Sequence, residues 1–397
     1  MSKVCSIFFY EGYVGIAPTI INLSQMLSQN YGAVTIYGTE NYYPNPGHLG
    51  EGVKTIYFSK NSSPFYKLSS RLKINSIGPL LLYIFQCLAY SFKHDHPAQQ
   101  EKRVNIGVDI YGNIAALLYF ILFRQPFLFL SLELINPQQY RWFSGVELLA
   151  RLAYRKAAGV IIQDPDRFQI MGRYYGYEHP NVFYLPNSPL NQPSLPEERG
   201  NYFREHLHLS PEQFPHLLVQ AGMISDDVCA TALAQGFASV DSGIALIFHS
   251  SKKRSPEDPY IKSLIAANSK NLFLSLEPLP YEEIDKIYAS ATLGLAFYAE
   301  RDSNFTEISM ASGKLPQYLK WGKPVLVSDL PSLSKLVEQY QCGIAIANPA
   351  DGQEIQAALE RIFSDYDTYS KNARVCFEAE FDFAKKMEPV LKLMNSV

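Results

Sequence analysis

Short apolar runs rich in β-forming residues recur along this chain, and most are followed by a stretch with helical periodicity. Residues 3–10 form the first such run, and Ala17–Gln29 follows with Ile20, Leu23 and Leu27 on one helical face. The pattern continues through Ala33–Tyr37, Val53–Phe58, Arg103–Val108, Pro126–Leu132 and Gly159–Gln163. A strand–helix–strand series predicts parallel pairing, because the helix carries the chain back to the edge where the next strand begins. Both faces of such a sheet are then covered, which makes the fold class α/β. The series breaks once, at residues 186–196, where PNSPLNQPSLP holds four prolines. A second series starts at His216 with strand Leu217–Ala221. Two facing Rossmann-like domains with an interdomain cleft are therefore expected, spanning residues 1–190 and 197–379, with a last helix at about 380–397 packing back on the first.

Composition narrows the classes of function. The chain has 397 residues, 47% apolar and 18% charged, so it can bury a sizeable core. A net charge of −3 leaves no global footprint for nucleic acid. The five cysteines are scattered without a CxxC pair, and the eight histidines show no ligand spacing. Neither a disulfide framework nor a metal site is expected, and a reducing compartment is. No targeting segment is read at the start, which points to the cytoplasm. The apolar run Ile77–Phe92 is shorter than the roughly 20 residues needed to span a bilayer. With Lys67, Arg71 and Lys73 just before it, the segment at about 64–92 is a candidate for peripheral contact with an anionic membrane surface. A buried helix with a basic start remains open.

The window Leu293–Asp329 carries the most chemistry. A strand ends at Tyr298, a polar loop with Glu300 and Glu307 follows, and a helix is expected from about Ser312 to Trp321. Serine and glycine at a helix start leave peptide N–H groups free, and Ser312, Gly313 and Lys314 would offer those donors plus a mobile cation to a phosphate. In the first half, Gly12 and Gly15 follow the first strand and would let a ligand approach the backbone. Asp109 and Glu133 close two later strands and would stand on the same rim, where one could act as a general base. Ser250 and Lys252 lie in a basic turn after the strand Ile244–His249, and Gly222 ends the strand before it.

Lys314-Leu315-Pro316-Gln317-Tyr318-Leu319-Lys320-Trp321-Gly322-Lys323-Pro324-Val325 resembles the K-L-x-x-Y-L-x-x-G-x-P-V pattern of GT-B glycosyltransferases similar to family 4. Outside residues 293–329 the likeness is diffuse, but the order of segments agrees throughout. It implies a UDP- or GDP-linked sugar held by the second domain, with Lys314 and the amides near it on the diphosphate. It implies transfer to a hydroxyl acceptor, a glycan, lipid-linked or small molecule, with retention of configuration and no metal or other cofactor. Gln317 falls where many relatives place a glutamate that accepts from the ribose. After Gly222, where many carry an arginine, this chain reads Met223-Ile224-Ser225-Asp226-Asp227. Two other readings stay open on the same fold, a sugar-nucleotide epimerase and a non-catalytic partner subunit.

Overall fold

The computed structural model describes residues 3–40, 49–59, 77–94, 102–135, 144–190, 200–240, 243–268 and 270–397. Lys67, Arg71 and Lys73 lie outside the described residues, as does most of the proline-rich break. The chain forms two compact units: residues 1–186 with 383–397, and residues 187–382.

In unit 1 the strands are β1 (Lys3–Phe9), β2 (Ala33–Thr39), β3 (Val53–Phe58), β4 (Lys102–Val108), β5 (Phe127–Leu130), β6 (Gly159–Ile162) and β7 (Val182–Tyr184). They form one parallel sheet in the order β3-β2-β1-β4-β5-β6-β7. The helices are α1 (Pro18–Ser28), α2 (Ile77–His94), α3 (Asp109–Phe123), α4 (Ser144–Lys156) and α5 (Pro165–Tyr175). The order dictates the layers. Chain order runs outward one way from β1 to β3 and the other way from β4 to β7, and the right-handed crossover rule for parallel strands then puts the helices of the two runs on opposite faces. Helices α2 to α5 accordingly share one core with the sheet, in which Tyr83, Ile114, Tyr154 and Met171 meet Phe8, Phe127 and Phe129.

Unit 2 holds α6 (Tyr202–His206), β8 (His216–Gly222), α7 (Ala230–Phe237), β9 (Ile244–Ser250), α8 (Pro259–Ala267), β10 (Leu272–Ser275), α9 (Asp285–Ala289) and β11 (Leu293–Ala296). It continues with α10 (Ser303–Thr306), α11 (Leu315–Lys320), β12 (Val325–Ser328), α12 (Pro331–Tyr340), β13 (Gly343–Ile346), α13 (Gly352–Ser364) and α14 (Tyr366–Glu380). The sheet order is β10-β9-β8-β11-β12-β13, all parallel. Consecutive strand residues fall into different cores: Leu217 and Val219 pack on one face, Leu218 on the other. That is the burial a parallel sheet requires. The last helix, α15 (Phe383–Ser396), returns to unit 1, where Leu393 presses on Gly159 and Lys3 donates to Asn395.

Three elements differ from the periodicity. The residues from Asp226 to Ser239 read as one helix by periodicity, but the run is broken at Cys229, whose φ of 56° is left-handed, so a 3-10 turn at Asp226–Val228 precedes α7. β11 stops at Ala296, and the Tyr298 amide donates to the Ser328 hydroxyl instead of continuing the ladder. The helix expected from Ser312 begins only at Leu315 and has six residues. No described helix is long and apolar enough to cross a membrane.

Candidate functional site

In each sheet the chain order reverses at one place. In unit 1 it lies between β1 and β4, in unit 2 between β8 and β11. The loops leaving the carboxyl ends of two such strands diverge to opposite faces and leave a crevice, the usual ligand position in open α/β sheets. In unit 2 the residues there are the Gly222–Cys229 turn, the Tyr298–Arg301 turn and the entry to α11.

Tyr318 fixes that entry. Its hydroxyl donates to the Val219 carbonyl at 2.6 Å and accepts from the Ala221 amide at 3.1 Å, which locks α11 onto the end of β8. Ser312 is 1% exposed. Its hydroxyl lies 2.6 Å from the Tyr298 hydroxyl and accepts from the Leu315 amide at 3.0 Å. The Ser312 amide itself donates to the Ile308 carbonyl. One part of the expectation is corrected here: the Ser312 amide is already spent on Ile308, and the six-residue helix starts at Leu315 with its first amide capped by the Ser312 hydroxyl. The Gly313 and Lys314 amides, by contrast, have no acceptor among the described residues.

Lys314 is not a mobile cation either. It is 7% exposed. Its Nζ lies 4.5 Å from the centroid of the Tyr298 ring and donates to the Phe297 carbonyl at 3.3 Å. Burial lowers its pKa from 10.5 to about 7. An ammonium in this position has a carbonyl and an aromatic face beside it, both weak substitutes for a counter-anion. One turn along α11, Gln317 is also buried, and its Oε1 has no hydrogen-bond partner among the described residues. Ser225, in the turn after β8, likewise has a buried hydroxyl without a partner among the described residues.

The turn after β8 is braced from several elements. Gly222 takes a φ of 112°, open to glycine at little cost, and its carbonyl accepts from Ser251. The stretch after Gly222 carries no cation of its own, and tertiary contacts bring two to it. Arg301 pairs with Asp227 at 2.6 Å, and Arg254 donates to the Ile224 carbonyl while pairing with Asp258. Hydroxyl groups of Thr231 and Tyr260 hold the Asp226 carboxyl below its usual pKa. Ser250 is spent on a local turn, its hydroxyl donating to the Lys252 carbonyl. Lys252 and Glu300 are exposed, and Glu307 is half-buried. Lys314, Gln317 and Gly313 thus share one short segment with Tyr298 against it. Cys229, Tyr298 and Arg301 are members that sequence reading missed. The aromatic strand ending at Tyr298 was the available signal; nothing local marks Cys229 or the Arg301–Asp227 pair.

At the switch point of unit 1, Gly12 has a φ of 71° and its amide donates to Phe9, closing the turn after β1. Gly15 sits in a 3-10 turn over Val14–Ile16 and keeps an ordinary φ. Asp109 begins α3 with a left-handed φ of 52°. Its Oδ1 accepts from the Leu132 and Glu133 amides at 2.8 and 3.1 Å, which ties the loop after β5 to the end of β4. Burial, then Glu11, then Glu133 push its carboxyl well above the ordinary range, against those two amides. From the other side, Gln163 and the fully buried Arg167 both donate to the Leu132 carbonyl. Asp109 is therefore built into the loop, and Glu133 is the exposed carboxylate that the loop presents. Among the described residues no group of three or more His, Cys, Asp and Glu side chains is arranged to hold a metal ion.

No family model and no curated protein matches this sequence. Solved structures do. Sucrose-phosphate synthase from Thermosynechococcus elongatus superposes with a TM-score of 0.70 at 15% identity, over 99% of this chain and 98% of that one. Anabaena HepE, in complex with UDP and glucose, gives 0.72 at 14% identity over 100% of both chains. WaaG, a glycosyltransferase involved in lipopolysaccharide biosynthesis, gives 0.63 at 14% identity over 98% of this chain and 99% of that one. The fold is GT-B, two Rossmann-like α/β units in one chain.

Proposed function

We propose that unit 2 binds a nucleoside-diphosphate sugar and that the chain is a glycosyltransferase. The observation that carries this reading is the pair of buried, poorly satisfied groups on one turn, Lys314 Nζ and Gln317 Oε1, at the switch point beside β8 and β11. A diphosphate supplies the anion that Lys314 lacks. A ribose hydroxyl supplies the donor that Gln317 lacks. The fold likeness to HepE, a protein whose structure holds UDP and glucose, supports the donor class.

In the transfer, the bond from the anomeric carbon to the diphosphate oxygen breaks and the electron pair stays on the diphosphate. The acceptor oxygen bonds to the anomeric carbon and gives up its proton. Negative charge grows on the leaving oxygen, and a preplaced ammonium with the Gly313 and Lys314 amides stabilises it without a metal ion. We assign the acceptor to unit 1, with Glu133 as the candidate carboxylate for its proton. Retention of configuration enters this reading only through the resemblance of the Lys314–Val325 window.

Calorimetry with UDP and GDP tests it. The chain should bind at least one of them, and Lys314→Ala should weaken that binding by about 10- to 100-fold, the worth of a charge-assisted contact. Absence of nucleotide binding in the unaltered chain favours the non-catalytic reading. Consumption of a bound nucleotide sugar without acceptor favours the epimerase.

A further inference from the structure

The crevice beside β8 and β11 is bridged by its own walls. The Ala299 amide donates to the Asp227 carbonyl at 2.9 Å, and Arg301 Nη1 donates to Asp227 Oδ1 at 2.6 Å. Both contacts join the turn after β8 to the turn after β11, at the place where the order of the sheet reverses. The ion pair is open to water, with 52% of the Arg301 side chain and 39% of the Asp227 side chain exposed. An exposed pair adds little to stability, so folding energy alone does not account for the bridge.

Charge balance does. A sugar-linked diphosphate carries a negative charge on each phosphate. In the segments around the crevice, Gly222–Cys229, Tyr298–Arg301 and Ser312–Leu315, the basic residues are Arg301 and Lys314. Lys314 balances one phosphate at most. Arg254 also reaches the turn after β8, but its terminal nitrogens are spent on the Ile224 carbonyl and the Asp258 carboxylate. The neighbouring acids are occupied too. Asp302 caps α10 by accepting from the Asn304 amide, and Asp226 accepts from the Tyr260 hydroxyl. Asp227 is the carboxylate that holds Arg301.

The guanidinium is suited to a change of partner. It has five N–H donors in one plane, and Asp227 accepts from one nitrogen. The Phe305 ring lies 5.4 Å from its central carbon and supports the plane from one side. The remaining donors can engage two phosphate oxygens side by side, a geometry that an ammonium does not offer. We propose that Arg301 is a second diphosphate-binding residue, held by Asp227 in the free chain and drawn to the phosphates when nucleotide binds. This inference rests on the nucleotide-sugar reading of unit 2 and names a further residue for the same site.

Titration of the full chain and its variants with UDP, GDP and the free nucleosides decides it. Arg301→Gln should weaken binding of the nucleoside diphosphate by about 10- to 100-fold, as loss of a charge-assisted contact does, and leave binding of the nucleoside unchanged. Arg301→Lys should fall between the two, since it keeps the charge and loses the fork. Asp227→Asn should act the other way and tighten binding by about threefold or more, because it removes a repulsive charge and releases the guanidinium. Both positions are exposed, so thermal unfolding midpoints should stay unchanged. Arg301→Gln and Asp227→Asn break the same ion pair, so a role confined to joining the two turns would move them in the same direction. Weakening in both variants overturns the proposal while the nucleotide-sugar reading stands. So does undiminished affinity in Arg301→Gln, or a loss that the nucleoside shares equally. A chain that binds neither UDP nor GDP overturns both.

Discussion

Lys314 illustrates how a single residue ties stability to binding. In the folded chain it loses its proton near pH 7, and in the unfolded chain near 10.5. Between those values the unfolded chain binds one more proton, so the free energy of unfolding rises with pH from about 7 to 10.5. Below pH 7 the cost of burying the charge is present in full. Lys314→Met should remove this slope and stabilise the free protein at pH 7 by about 0.5–2 kcal/mol, the usual gain when a functional polar group is replaced. Urea unfolding of both chains at pH 6, 8 and 10 checks it; an unchanged slope in the variant would show that another group titrates. Asp109 teaches the complementary lesson. Its position at a strand end was legible from VNIGVDIYG, but not that its carboxyl would be tied up by the Leu132 and Glu133 amides. Those partners lie 23 and 24 residues away, and no local pattern encodes them.

At the scale of elements, strand positions were the most legible feature, because buried parallel strands are written as short apolar runs. Helix starts in unit 2 were the least legible. Cys229 and the Ser312–Lys314 segment sit in helical periodicity, yet left-handed backbone at one and a serine cap at the other shorten the helices. The placement of α11 depends on a gap in β11. A Cβ on Gly294 would meet Tyr318 ring atoms at 2.2 to 2.5 Å. Gly294→Ala should therefore displace Tyr318 from the end of β8 and cost about 1–3 kcal/mol, as overpacking does. It should also weaken nucleotide binding, since Lys314 and Gln317 ride on the same short helix. Unfolding and UDP titration of the variant measure both; loss of stability with binding intact would separate α11 from the ligand.

At the scale of the molecule, α15 belongs to a unit that the chain left almost 200 residues earlier. It buries Phe383, Met387, Val390 and Met394. At about 1.5–3 kcal/mol for each side chain, their removal approaches the whole stability of an ordinary domain. A chain ended at Asp382 should keep the calorimetric transition of unit 2 and lose or sharply lower that of unit 1. A drop confined to unit 2 would contradict the division of the chain drawn here.

The amino-acid order alone determined the α/β class, the two series of parallel strands and the segment around Lys314, since each rests on periodicity or on contiguous residues. Tertiary structure decided what those residues do. It buried Lys314, expected as a mobile cation, spent Ser250 and Ser312 on local bonds, and brought Arg301 to Asp227. Burial and long-range hydrogen bonds set those outcomes, and neither is a property of any window of sequence.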